Sequence, residues 1–464
     1  MIWKRRKQTG KRRDTWFSGA GCAAAGGVLF LIGLCLYLAL GHILVRSTEK
    51  KVARLEQQIR DAGQPLTLEE WDAYYPAVPD EENAALIYQQ AFVQLEEADP
   101  RGEIGAALDA RLWAVRREDE SLPSLRGEMA AFLVECEEAC ALLDTAATMA
   151  KARHSLDHDT FDASYHDRQR QLLACARLET IRAADEILEG RQDQFVKRQE
   201  SIIRIGDSLR EEPISSSLAV RAAIRVVQLK CVATGLNLAY LYPETLTDLE
   251  KFYQEPNDSG LVVRSLAGDR CLLLARHSGP GHIGDRSLMD RALNYFDPVG
   301  QSAFRRIKSN SQCCALMEEF AQLIRLADKP HAGQIAYIAD LRANGKGWEK
   351  WVERPDHPLC VPLRNIERMA LNPLAARLGR LIIAIERYRS DYEELPGSFK
   401  QLVPDYILEI PLDPYDGQPM RYVTKDQDYM LYSVYFDRVD DGGAPLEKSD
   451  ESEWKGDWRI SIVQ

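Results

Sequence analysis

Between Thr15 and Val45 the sequence has no Asp, Glu, Lys or Arg. Within that gap, Ala20 to Leu40 consists of Ala, Gly, Val, Leu, Ile, Phe, Cys and Tyr, and it reaches the roughly 20 apolar residues that cross a bilayer. A surplus of positive charge is also missing. Lys plus Arg number 59 against 71 for Asp plus Glu, a net charge of −12, which disfavours general binding to nucleic acid or to an anionic lipid surface. HExxH, GxSxG and the dinucleotide-binding fingerprint do not occur, so no motif names a reaction, although an enzyme is not thereby excluded. No repeat of fixed period and no tetratricopeptide signature is present. What is there is globular: 464 residues, 45% hydrophobic and 28% charged, exclude wholesale disorder, collagen and a small disulfide scaffold. At roughly 150 residues per domain, this length accommodates about three structural units.

The flanks of the apolar run set its orientation. Lys4, Arg5, Arg6, Lys7, Lys11, Arg12 and Arg13 precede it, while Arg46, Lys50 and Lys51 behind it are diluted by Glu49 and Glu56. The denser positive cluster stays cytoplasmic by the positive-inside rule. The expected topology is therefore a single-pass signal anchor in a bacterial inner membrane, with the bulk of the chain in the periplasm. A cleaved signal peptide is the competing reading, and the run exceeds the roughly 7 to 15 residues of an ordinary h-region. Cys22 and Cys35 fall inside the span. The other eight of the 10 Cys, at 136, 140, 175, 231, 271, 313, 314 and 360, lie beyond it, where oxidising conditions permit pairing. They are spread over helical patterns in a chain large enough to bury a core, so core packing is the expectation for most. Cys136 and Cys140, one helical turn apart, suit a metal or a local bridge, but no second pair of ligand spacing accompanies them.

Residues 47 to about 365 read as helix after helix. Leu173, Ala176, Ala184 and Ile187 recur at helical spacing, with Gly190 as a stop. Phe195, Ile202 and Leu209 mark the next helix. Glu212-Pro213 then breaks the chain before a third, carried by Val220, Ile224, Val227 and Cys231. Further helices are expected at Ala84 to Leu95, Glu128 to Ala150, Leu246 to Tyr253, Ser311 to Leu326 and Ile335 to Trp351. Short breaks between amphipathic helices point to stacked αα-hairpins, an arrangement that more often binds other chains than performs chemistry. One cluster within it has a catalytic alternative: His154, His158, Asp162 and His166 follow one another at intervals of four. On a continuous helix they would offer nitrogen and oxygen ligands to a metal, as in a metal-dependent hydrolase. The same segment is rich in Asp, Ser and Thr, which equally describes a solvated connection. The Gly-rich stretch His277 to Asp285 lacks the Lys-Ser/Thr ending of a phosphate loop and reads as a connection.

From Asn372 the pattern changes. An apolar helix with Leu378, Leu381, Ile382, Ile385 and Tyr388 runs to Tyr392 and stops at Leu395-Pro396-Gly397. Ile410-Pro-Leu-Asp-Pro-Tyr-Asp-Gly417 follows, then strand-like runs at Met420 to Val423, Tyr429 to Tyr435 and Trp458 to Val463. The fold class expected is mainly α, with divisions at 1–46 (basic terminus and transmembrane helix), 47–365 (helical-hairpin array) and 366–464 (a small α+β module).

This last module resembles the globular domain of the major pseudopilin of type II secretion systems. The resemblance runs over about 90 residues. It rests on Glu386-Arg387-Tyr388 and Leu395-Pro396, the Ile-Pro-Leu-Asp-Pro segment at 410 to 414 with Gly417, the strand with Tyr429 and Leu431-Tyr432-Ser433, and the acidic Gly-containing loop at 437 to 443. It implies a calcium ion in that loop, with Asp437, Asp440, Asp441 and Asp457 as ligands by position; hard carboxylate oxygens on a flexible loop suit that ion. A solvated acidic hairpin is the alternative. The chain departs from the family at Tyr435, where the family has Gly, and in its longer loop. It also lacks the Gly-Phe leader site and the Glu five residues into the apolar helix, which argues against packing into a pilus. The whole layout, with Tyr74 to Ala84 after the anchor, looks like a widespread group of uncharacterised bacterial membrane proteins that end in this module. The function expected is that of a non-catalytic, membrane-anchored envelope protein that binds other proteins, with a secretion or pilus-like assembly as one setting. A minor component of type II secretion and a metal-dependent hydrolase are the alternatives.

Overall fold

The computed structural model describes residues 19–156, 161–278, 298–344, 359–448 and 454–463. The chain is mainly helical, with a small sheet near its C-terminus. Its first helix, α1 (Gly19–Asp61), includes a stretch of 35 residues from Gly27 to Asp61 long and apolar enough to cross a membrane. It ends where Gly63, at φ 66, lets its own N–H reach Arg60 O (2.9 Å) and that of Gln64 reach Ile59 O (3.1 Å), a left-handed stop that a Cβ disfavours.

Two compact units are present. The first takes in Met1–Gln58 and Arg276–Met317. Its described parts are most of α1 and the start of α12 (Pro298–Leu326), held together by Arg306 with Glu49 at 2.7 Å and Asn310 Nδ2 with Thr48 Oγ1 at 3.2 Å. The apolar side chains of α1 stand exposed, Leu29 and Phe30 by 70% and 71%.

The second unit, Ile59–Ala275 with Glu318–Gln464, holds one continuous core that runs from Ala84 to Ile462. It opens with α2 (Leu68–Tyr74), whose Thr67 and Glu70 form a reciprocal capping box. Asn83 then starts α3 (Ala84–Ala98): its Oδ1 accepts from Ala85 N at 3.1 Å and from Arg153 N at 2.8 Å, so one side chain fixes both a helix start and a distant strand-like segment. After α4 (Glu103–Ala114) come α5 (Leu122–Glu135) and α6 (Glu137–Ala147). The sequence reads these two as one helix over Glu128 to Ala150. The structure breaks it at Cys136, which leaves helical geometry at φ −95, ψ 12.

The consecutive helices α7 (Phe161–Leu188), α8 (Gln192–Asp207) and α9 (Ser215–Leu238) pack on one another across short turns, as the sequence pattern predicts. Gly190 closes α7 at φ 76. Gly235 lets α9 approach α8, since a Cβ there would lie 2.7 Å from the ring of Phe195. Then follow α10 (Pro243–Glu250), α11 (Ser259–Ser278), α13 (His331–Asn344), α14 (Cys360–Met369) and α15 (Leu371–Tyr392). Helix α12 begins 13 residues before its predicted start at Ser311, because Pro298 opens a helix the apolar pattern alone does not mark. The predicted end of α13 near Trp351 and the stretch from residue 279 to Asp285 lie outside the described residues.

Helix α15 buries Leu374, Leu378, Leu381, Ile382 and Ile385 against α9 and α10. The sheet that follows has β1 (Arg421–Lys425), β2 (Asp428–Ser433) and β5 (Trp458–Ile462) in the order β1-β2-β5, all antiparallel, with Leu431 opposite both Tyr422 and Ile460. A two-residue pair, β3 (Glu447–Lys448) and β4 (Trp454–Lys455), lies in the long connection between β2 and β5. Strand β5 packs on α9, so this sheet and the helical array share the core.

Candidate functional site

The acidic connection between β2 and β5 is supported from below by Asp413. This carboxylate has no solvent exposure and accepts four hydrogen bonds: from Tyr415 N (3.0 Å), Ser433 Oγ (2.8 Å), Val434 N (3.0 Å) and Arg421 Nη1 (2.6 Å). The Leu-Asp-Pro turn is thereby tied to the exit of the central strand. Arg421 also pairs with Asp416 and reaches Asp440 at 3.5 Å, and these three carboxylates hold its guanidinium even more firmly protonated against the opposing effect of burial. Beyond Ser433 the backbone turns at Tyr435, at φ 54 in the left-handed region, where its ring packs on Tyr415 and Phe436.

The four aspartates of the loop have distinct environments. Asp437 accepts from Val439 N at 3.1 Å and Gly456 N at 3.2 Å. Asp440 accepts from the Tyr432 hydroxyl and from Gly442 N, both at 3.1 Å. Burial pushes its carboxyl up, but Gly442 N–H, the Tyr432 hydroxyl and Arg421 outweigh it and hold it below the usual range. Asp441 is exposed, and its backbone N–H donates to Asp457 Oδ2 at 3.1 Å. Asp457 is fully buried: Oδ2 also accepts from Gly443 N at 2.7 Å, while Oδ1 has no hydrogen-bond partner. Burial, with Asp440 and Asp441 nearby, raises its carboxyl above the usual range. Gly456 makes this possible: it sits at φ 93, and a Cβ there would be 2.5 Å from Pro445 O. Residues 449–453 of the loop lie outside the described residues.

The His/Asp series is placed differently from a helical metal face. His154 lies in a non-helical segment before α7 and is 1% exposed. Its backbone N–H donates to the Tyr75 hydroxyl at 3.0 Å, and its Nε2 meets Ser208 Oγ at 3.1 Å. Ser208 spends its own hydrogen on Ile205 O at 2.7 Å, so it accepts here, and His154 is the neutral Nε2–H tautomer. Burial, reinforced by Arg168, pushes the imidazole down to about 3. Nδ1 is buried without a partner. His158 lies outside the described residues, as does the side chain of Asp162, whose backbone belongs to α7; His166 is exposed on α7. Among the described residues, no group of three or more His, Cys, Asp or Glu is placed to hold a metal ion. Cys136 and Cys140 are free thiols whose acidity burial weakens, to about 12 and about 11, which disfavours the thiolate a metal requires.

Two further polar assemblies escape sequence reasoning, because their members are far apart in the chain. Arg168 pairs with the buried Glu212 beside Tyr75 and His154. The fully buried Glu179 sits between Arg182 (2.7 Å) and Arg198, both of which also hold Asp144. A third feature is a cleft of about 360 Å³ walled by the ends of α3 and α4, by α5 and by one face of α7. The chain matches no family model, no curated protein and no solved structure.

Proposed function

We propose that the chain is an anchored protein of the bacterial inner membrane, with its basic N-terminus cytoplasmic and the rest periplasmic. In this reading its helical array and C-terminal module bind other envelope proteins rather than catalyse a reaction. The observation that carries it is α1, which holds its apolar side chains exposed from Val28 to Leu44 in an otherwise well-buried chain; bare apolar surface of that extent belongs in lipid. For the partner role, the C-terminal module exposes Leu408 (90%) and Leu412 (48%), and Val439 (54%) within its acidic loop.

The same reading makes this module a relative of the pseudopilin globular domain. Support comes from one helix followed by a three-stranded antiparallel sheet, the acidic loop inserted before the last strand, and the Asp413 support under the Ile-Pro-Leu-Asp-Pro segment. Tyr435, where that family carries Gly, adopts the left-handed geometry that Gly serves. Asp437, Asp440, Asp441 and Asp457 do not come together as a ligand group in this structure, so a calcium ion there rests on one feature: the Oδ1 of Asp457 is a buried oxygen with no donor, which a hard cation would satisfy.

Two measurements test this. Photo-cross-linking in cells from Leu408 and Val439 of the full chain is expected to give the same discrete envelope-protein adducts from both positions; no adduct from either would refute the partner role. Melting of the purified full chain in calcium and in chelator is expected to show a higher midpoint with calcium, abolished by Asp457→Asn.

A further inference from the structure

The cleft between α3, α4, α5 and α7 has a floor and a mouth of opposite character. Phe92, Leu95, Phe132 and Leu178 form the floor and are nearly fully buried (1% to 7% exposed). The mouth carries Arg101, Arg170 and Arg177 against Glu96, Asp99 and Asp167. These charges are unequally committed. Asp99 spends both oxygens on the start of α4, accepting from Ile104 N at 3.3 Å and Gly105 N at 2.9 Å. Asp167 is taken by Arg170, one turn along α7. Arg177 makes no hydrogen bond or ion pair among the described residues, although it lies in the field of Asp109. Among the described residues Arg101 has only Glu103, at 3.8 Å. Two guanidinium groups with hydrogen-bonding capacity to spare therefore flank an apolar floor, and of the three carboxylates at the mouth Glu96 alone has no partner among the described residues. The volume is at the small end of the roughly 300 to 1,000 Å³ of ligand pockets, with a few polar groups around an apolar lining as such pockets have.

We propose that this cleft binds a small amphiphile with an apolar tail and a single carboxylate head, of the fatty-acid class. The tail replaces water over Phe92, Phe132 and Leu178, and the head takes the planar, two-donor face of Arg177. Ala106 on α4 and Ala174 on α7 are small side chains of the lining, one on each helix.

The test uses the full chain in lipid nanodiscs, titrated calorimetrically with octanoate and with 1-octanol, with empty nanodiscs subtracted. One octanoate per chain is expected, at least tenfold tighter than octanol. Arg177→Gln is expected to remove that preference while leaving octanol unchanged, and Glu96→Gln to tighten octanoate binding. Ala174→Phe and, from the other helix, Ala106→Leu are each expected to abolish both, with the melting midpoint checked so that a folded variant is read. Failure of octanoate to bind, octanol binding as tightly, or octanoate binding unchanged in a folded cleft-filling variant would each overturn the proposal.

Discussion

Replacement of Asp413 by Ala is expected to loosen the whole C-terminal module. The carboxylate is fully buried and accepts from two backbone N–H groups, a hydroxyl and a guanidinium. The Asp413→Ala change would leave the N–H of Tyr415 and of Val434 without acceptors in residues that are 0% and 1% exposed. A buried donor left unpaired costs about 1–3 kcal/mol. Ser433 Oγ can rotate to another acceptor, and Arg421 keeps Asp416, so neither is stranded outright. Removal of one partner from a buried charge pair costs ~3–5 kcal/mol when the other is left alone; with Asp416 still present, a total of about 3–5 kcal/mol for all four bonds is the reasoned value. Against a typical stability of ~5–15 kcal/mol this is a large fraction. Urea unfolding of the full chain, followed by tryptophan fluorescence and by amide exchange at Leu431 and Val434, reads it. Asp413→Asn retains one acceptor oxygen and is expected to cost roughly half as much. An Asp413→Ala unfolding free energy within about 1 kcal/mol of the parent would refute the assignment of this carboxylate as the support of the loop.

Other expectations follow from buried groups and backbone geometry. Asp269, with one oxygen on Ser215 N at 3.1 Å, is pushed up by burial to about 7. Because this exceeds its unfolded value of ~3.9, its contribution is fully present below ~3.9 and is lost as pH rises from there to about 7, at up to ~1.4 kcal/mol per pH unit. Asp269→Asn should therefore flatten the fall in melting midpoint between pH 4 and 7. His154 acts in the opposite direction: its folded value near 3 lies below the unfolded ~6.5, so stability is lost as pH falls from 6.5 toward 3, and His154→Gln should reduce that loss in acid melts. Gly456→Ala forces a Cβ to 2.5 Å from Pro445 O at φ 93; a destabilisation above ~2 kcal/mol is expected in chemical unfolding, since backbone rather than a flexible side chain must move.

Much of the architecture is legible in one dimension because it is written in period and punctuation. The α7-α8-α9 series shows in its apolar spacing and in Gly190 and Pro213, and the sheet in the alternation around Tyr429 to Ser433. The kink at Cys136 is not legible. Leu125, Met129, Phe132, Cys136, Ala139, Leu143 and Ala146 keep one helical spacing straight through it, so the break is set by tertiary packing. Sites are less legible for the same physical reason. The loop aspartates are close in sequence and visible as a cluster, yet that Asp457 alone is buried depends on where β5 docks. His154 stands in line with His158, Asp162 and His166 in sequence, while in the fold its partners are Tyr75 and Ser208, 79 and 54 positions away. The cleft draws on four helices and leaves no local signal at all.

The N–H of Val463 donates to Asn237 Oδ1 at 2.8 Å, across 226 positions. That bond joins the end of α9 to the residue just after β5, and with it Ile460 and Ile462, both fully buried, cover a surface that α9 offers early in synthesis. Until β5 has been synthesised, that surface and the open side of β2 face water. Their closure depends on contacts of very long sequence separation, which form slowly. Until that segment has been made, a nascent chain of this kind is vulnerable to aggregation and proteolysis at the uncovered face of α9.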